Sequence, residues 1–181
     1  MQVNINFDQT YSPLTLANDL TVMTFESPQI DGSVQEILIL ISPHPDPLLP
    51  GVFNLGFGPP DGNGAFKDNV RLKHANLNIV FSTVLLLGLA FLEQNPMATI
   101  GIDGSDDLRA RFYHRMYKSN KTYLNDYFVA IGVDWYVRIF RDGDYEKDEK
   151  GYPVAKPRPE PFDYERDNKD LYRYYMFRLK N

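Results

Sequence analysis

The sequence has no cysteine and a single tryptophan among its 181 residues. The missing thiol excludes disulfide scaffolds, thiol catalysis, zinc ribbons and iron–sulfur ligation together, and a cysteine-free chain fits the cytoplasm. Histidine is scarce as well: His44, His74 and His114 are scattered, and their spacing matches no metal motif. Neither sign of charge dominates. A formal charge of -5 argues against coating nucleic acid by bulk electrostatics, so polyanion binding would have to come from a local basic patch. The longest greasy run, Ile79 to Leu92, is interrupted by Ser82, Thr83 and Gly88 and falls short of the ~20 residues of a membrane span. It is expected as a buried helix. The start, Met-Gln-Val-Asn-Ile-Asn-Phe, lacks the basic and apolar parts of a signal peptide, so neither export nor a membrane is expected.

What is present suffices for one core: 43% of residues are hydrophobic and 14% aromatic. That composition and length point to a single domain over 1–181. Val3, Ile5 and Phe7 alternate with polar residues and predict a first strand. Residues 20–27 and 33–42 flank a Pro/Asp-Gly turn and predict a hairpin, whose Ile37-to-Ile41 run, apolar on both faces, should be central. A fourth strand is expected over 52–58, then a helix capped at Asn76 or Asn78 and ending before Pro96. A strand at 98–102, a helix at 106–118, and strands at 129–140 and 171–180 follow. Residues 141–170 carry many charges and Pro153, Pro157, Pro159 and Pro161, and are expected as a long exposed loop. The fold class is therefore α+β, a mostly antiparallel sheet of about six to seven strands with two helices packed on one face.

The segment from Ala98 to Lys118 compresses a strand, a glycine turn and an arginine-rich helix. On a helical wheel Arg111, His114, Arg115 and Lys118 share a stripe expected to face solvent, while Leu108, Phe112 and Met116, extended by Tyr113, form the apolar arc. Arg109 falls inside that arc and needs a carboxylate from Asp103, Asp106 or Asp68, or a ligand. An anion site of Gly104, Ser105, Arg109 and the helix N–H groups is the functional alternative, which Asp106 and Asp107 oppose by their own charge. The Gly58-to-Gly64 loop lacks both phosphate-cradle patterns and is expected as a turn.

The motifs Asn54-Leu-Gly-Phe-Gly58, Ser82-Thr-Val84 and Gly104-Ser105 followed by Arg109-Ala-Arg111-Phe-Tyr113 resemble a family of small bacterial proteins of unknown function. Asp106 stands where that family usually has threonine. The resemblance implies a compact intracellular α+β domain and no particular reaction.

No complete catalytic motif occurs. The expectation is a non-enzymatic bacterial, cytoplasmic binding protein without cofactor or metal. Its recognition surface would comprise Asp103, Gly104, Ser105, Arg109, Arg111, His114 and Arg115, facing a partner protein or a second copy. A second reading pairs the last strands so that Tyr136, Arg138, Tyr172, Tyr174 and Arg178, with Lys118, make a surface for single-stranded nucleic acid. A third is a metal-dependent hydrolase or nuclease using Asp103, Asp106, Asp107 and His114.

Overall fold

The computed structural model describes residues 2–67, 70–104 and 106–180. The strands are β1 (Pro13–Leu16), β2 (Val22–Pro28), β3 (Val34–Pro43), β4 (Val52–Gly58), β5 (Thr99–Asp103), β6 (Phe128–Val137), β7 (Ala155–Pro161) and β8 (Tyr174–Leu179). The helices are α1 (Leu77–Gln94), α2 (Asp107–Ser119) and the short α3 (Lys121–Leu124). All eight strands form one sheet in the order β1-β2-β3-β4-β5-β8-β6-β7. Every neighbouring pair is antiparallel except β4 and β5, which are parallel and joined through α1. The class is α+β, with one more strand than the top of the expected range.

One face of the sheet carries the helices. Strand alternation sends Ile37, Ile39, Leu55, Ile100, Ile102 and Phe177 to that side, where they pack with Val80, Val84, Leu85 and Leu92 of α1 and Met116 of α2. Gly88 lets α1 approach closely: a Cβ there would lie 3.4 Å from the Phe177 ring. By length and composition α1 could cross a membrane, but 61% of it is buried inside the protein.

Three expectations change. Residues 2–7 join no sheet, and Phe7 already begins a turn. They run along the helices, where side chains accept their N–H groups: Asn120 Oδ1 from Ile5 at 2.8 Å, Ser82 Oγ from Asn6 at 2.9 Å and Tyr123 Oη from Phe7 at 2.8 Å. Val3 and Ile5 are buried there, so the alternating pattern was real although its partner is helical.

Residues 141–170 are not simply a loop, because they contain β7. Pro157, Pro159 and Pro161 are spaced by two, so all three missing donors fall on the side away from β6, the outer edge of the sheet. Such an edge also resists pairing with another chain.

The third change is the phase of α2. Its buried residues are Ala110, Tyr113, His114, Met116 and Tyr117, and Leu108 is 69% exposed. This arc is rotated about a quarter turn from the expected one at 100° per residue. The cause is Phe162, just after β7, which folds back over α2 with ring centroids 5.3 Å from both His114 and Tyr117. Arg166 clasps the same returning strap, bonding Asp134 at 2.7 Å and lying 4.0 Å over the Tyr172 ring.

Candidate functional cleft

The parallel strands β4 and β5 both end at the same rim of the sheet. From there the chain leaves into the 59–76 connection and into the turn before α2. A crevice outside the carboxyl ends of parallel strands is where α/β sheets characteristically bind ligands, since the departing loops diverge there. Here it is a cleft of about 800 Å³, lined from β4 by Asn54 and Gly56, from β5 by Asp103, from α2 by Arg109 and Tyr113, from β6 by Trp135 and from β8 by Tyr174, with Arg173 preceding that strand.

Tyr174 forms part of the cleft wall. Its hydroxyl donates to Asn54 Oδ1, and its ring lies against Gly101, where an added Cβ would come within 2.2 Å of ring atoms. His44 and Trp135 meet the same ring edge-on at 5.1 and 6.0 Å. Burial, with the Asp103 charge behind it, pushes the Tyr174 hydroxyl well above the usual phenol range. It therefore stays a donor at any physiological pH. His44 Nδ1 accepts from the Asp46 N–H at 3.0 Å, which leaves the neutral ring's proton on Nε2.

The glycine-rich loop supplies a second wall. Asp61 Oδ1 closes it by accepting from Asn63 N at 2.7 Å and Ala65 N at 3.1 Å. Phe66 then lies over Gly56 and Gly58, where a Cβ would approach its ring to 2.5 and 3.1 Å. The loop is a turn, as expected, and one that lays an aromatic ring on β4. His74, also at the cleft, shares a hydrogen bond with Ser27 Oγ at 2.7 Å, and burial lowers its pKa.

The expected residues distribute unevenly. Asp103 and Arg109 line the cleft. Arg109 is half-buried and pairs with Asp106 at 3.3 Å. Asp106 also caps α2, accepting from Arg109 N at 2.8 Å, so the helix start already has its anion. Gly104 is packed against Tyr175, where a Cβ would lie 2.7 Å from the ring. Ser105 lies outside the described residues, as does Asp68.

Arg111, Arg115 and Lys118 are exposed, the last bonded to Glu165 at 2.7 Å. His114, expected on their stripe, is instead buried at 4% exposure. Its pKa is lowered first by burial and next by Lys118, against a hydrogen bond to the Tyr164 backbone. Asp107 pairs with Arg173 at 2.7 Å rather than chiefly with Arg111.

The nucleic-acid set is not brought to one surface. Tyr172 and Tyr174 are buried, at 0% and 3%, while Tyr136, Arg138 and Arg178 are exposed. The register, Val133 opposite Tyr174 and Gly132 opposite Tyr175, puts Tyr136 on the face away from Tyr174 and Arg178. Nor do the acidic residues gather with His114: among the described residues no group of three His, Asp or Glu is placed to hold a metal.

Sequence reasoning missed His44, Asn54, Phe66, Lys67, Trp135 and Arg173. The glycine pair at 56 and 58 was the available signal, since glycines on a buried strand mark close approach by another group.

Residues 8–150 match a family described as being of unknown function, DUF6934. The chain belongs to that family. The DUF6934 match spans β1 to β6 with both long helices, and so includes Asn54, Asp103, Arg109 and Trp135 of the cleft. Arg173 and Tyr174 come from beyond the matched segment. No curated protein and no solved structure matches the chain.

Proposed function

We propose that this protein is a non-enzymatic binding protein that takes a small molecule in the cleft at the carboxyl ends of β4 and β5. The observation that carries this reading is the cleft itself: about 800 Å³, within the range of small-molecule sites, with aromatic walls and a few polar groups. The recognition surface expected around residues 103–115 narrows to its first part, since Arg111 and Arg115 point elsewhere. The absence of cysteine favours a cytoplasmic setting, and the sequence resemblance favours a bacterial one.

The test is a thermal-shift screen with nucleosides, nucleotides, aryl acids, sugars and amino acids, run on the wild type and on Val70→Trp, which narrows the mouth at an exposed lining position. A ligand at a hundred times its Kd stabilises by about 2.7 kcal/mol. That raises Tm by roughly 5 to 10 °C for a chain of this size. Val70→Trp should lose the shift. A screen without any shift, or a shift unchanged in Val70→Trp, overturns the reading.

A further inference from the structure

The cleft inverts the sign of the chain that carries it. In a protein of net charge -5, the described residues that line it include Lys67, Arg109 and Arg173 and one carboxylate, Asp103. Asp106 and Asp107, which pair with the two arginines at 3.3 and 2.7 Å, lie at the start of α2 and do not line the cleft. Arg173 borders both this cleft and a small neighbouring pocket that it lines together with Asp107 and Arg111.

The remaining lining chemistry divides in two. Phe66 and Trp135 offer ring faces and edges, and Tyr174 lies between His44 and Trp135. The uncharged polar groups are mainly donors. Asn54 spends its carbonyl oxygen on Tyr174, which leaves its amide nitrogen, and His44 carries its proton on Nε2. Donors and cations between low-dielectric walls favour an anion, because charge-assisted hydrogen bonds are about twice as strong as neutral ones.

Resting on the small-molecule reading above, we propose that the ligand is a ring-bearing organic anion. Its phosphate or carboxylate is held by Lys67, Arg109 and Arg173, and its ring packs against Phe66 and Trp135. Asp103, the one carboxylate among the described lining residues, takes a hydroxyl or N–H of the same molecule. This is a different site from a helix-terminus anion hole, which the Asp106 cap fills.

Matched pairs of ligands test it: adenosine monophosphate against adenosine for the phosphate, naphthoate against naphthamide for the carboxylate. Calorimetry at low and high salt is run on the wild type, Arg173→Gln, Arg173→Lys and Val70→Trp. Arg173 is half exposed, so its variants should fold, and the melting curve checks that they do. The expected result is that the anion of at least one pair binds about tenfold or more tightly than its neutral partner, a difference of about 1.4 kcal/mol. Arg173→Gln should remove most of that preference while changing the neutral partner's affinity less than about twofold, Arg173→Lys should restore part of it, and high salt should weaken it. Which pair responds separates phosphate from carboxylate. If neutral members bind as tightly as their anions, if Arg173→Gln leaves the preference intact, or if the binders in the wider screen are all neutral, the anion inference is overturned and the cleft reading stands. If nothing in either set binds, both are overturned.

Discussion

The two faces of the sheet are built from the same strands and have opposite characters. On the helix side Ile37, Leu55, Ile100 and Phe177 interlock with α1 and α2 in a core that excludes water. On the other side the corresponding positions include Asn54, Gly56 and Gly101, and the buried cluster is small: Leu49, Val52, Val133, Tyr174 and Met176, with Ile131 and Trp135 beside it. Both faces set rings against glycines, Tyr172 and Tyr175 against Gly132 and Gly104 on the first and Tyr174 and Phe66 against Gly101 and Gly56 on the second, but only the first is sealed by helices. Interlocking gives stability, since each methylene removed from water contributes about 0.8 kcal/mol. The second face borders the cleft, whose lining includes the polar groups of Asn54, Asp103 and Tyr174.

The largest effects should therefore come from truncation on the sealed face. Phe177 is 1% exposed, and Phe177→Ala should destabilise by about 3 to 5 kcal/mol, as large aromatic deletions in cores do. Trp135→Ala on the open face should cost no more than about 2 kcal/mol, because part of the ring already meets water. Urea denaturation of both variants checks this. Equal losses would break the contrast between the faces.

Filling a glycine gap sharpens the same contrast. Gly101→Ala forces a methyl into the Tyr174 ring and should destabilise by about 1 to 3 kcal/mol, the usual range for overpacking. Truncating the ring as well should relieve the clash, so Gly101→Ala with Tyr174→Ala should lose less than the two single losses added together. Strict additivity in that double-mutant cycle would show that the ring does not depend on the gap.

Two histidines on the helix side of the sheet, His114 on α2 and His74 just before α1, add a test by pH. Burial lowers both pKa values in the folded state, for His114 under Phe162 with Lys118 and Arg166 adding repulsion and Asp163 opposing, and for His74 beside Ser27. A lowered folded pKa means full stability above the unfolded value of about 6.5, and loss as pH falls from there through the folded value, because the unfolded chain takes the proton first. His114 Nδ1 has no hydrogen-bond partner among the described residues, whereas His74 has Ser27. His114→Phe should therefore remove more of the fall in Tm between about pH 7.5 and 5 than His74→Asn does. An acid sensitivity that survives His114→Phe undiminished would place its source elsewhere.

The sequence was most legible where a single period dominates and the partner is a neighbour. The β2–β3 hairpin, α1 with its Asn76 cap and the clean alternation of β6 are such segments. It was least legible where a distant segment decides burial. His114 looks polar on a basic stripe until Phe162 covers it, and Phe162 sat in a stretch whose prolines suggested a loop. Those prolines exclude a central strand and permit an edge, and only their spacing of two, read together with a partner strand, tells the cases apart. The cleft was half visible for the same reason. Asp103 and Arg109 are neighbours in sequence, but Asn54, Trp135 and Arg173 reach them only through the strand order.

The smallest effects concern the arginines of α2, and they test where the boundary between the two faces runs. Arg109 is about one-third exposed and its partner Asp106 more so, at 34% and 54%, which makes the pair a screened one. Arg109→Ala should thus cost about 1 kcal/mol or less, not the 3 to 5 that truncating a fully buried pair would cost. Arg111→Ala and Arg115→Ala, on the outward stripe, should stay within about 0.5 kcal/mol. If Arg109→Ala leaves stability nearly unchanged yet weakens ligand binding, its guanidinium belongs functionally to the open face. A loss of several kcal/mol would instead make Arg109 part of the sealed face, a tie between helix and sheet before it is anything else.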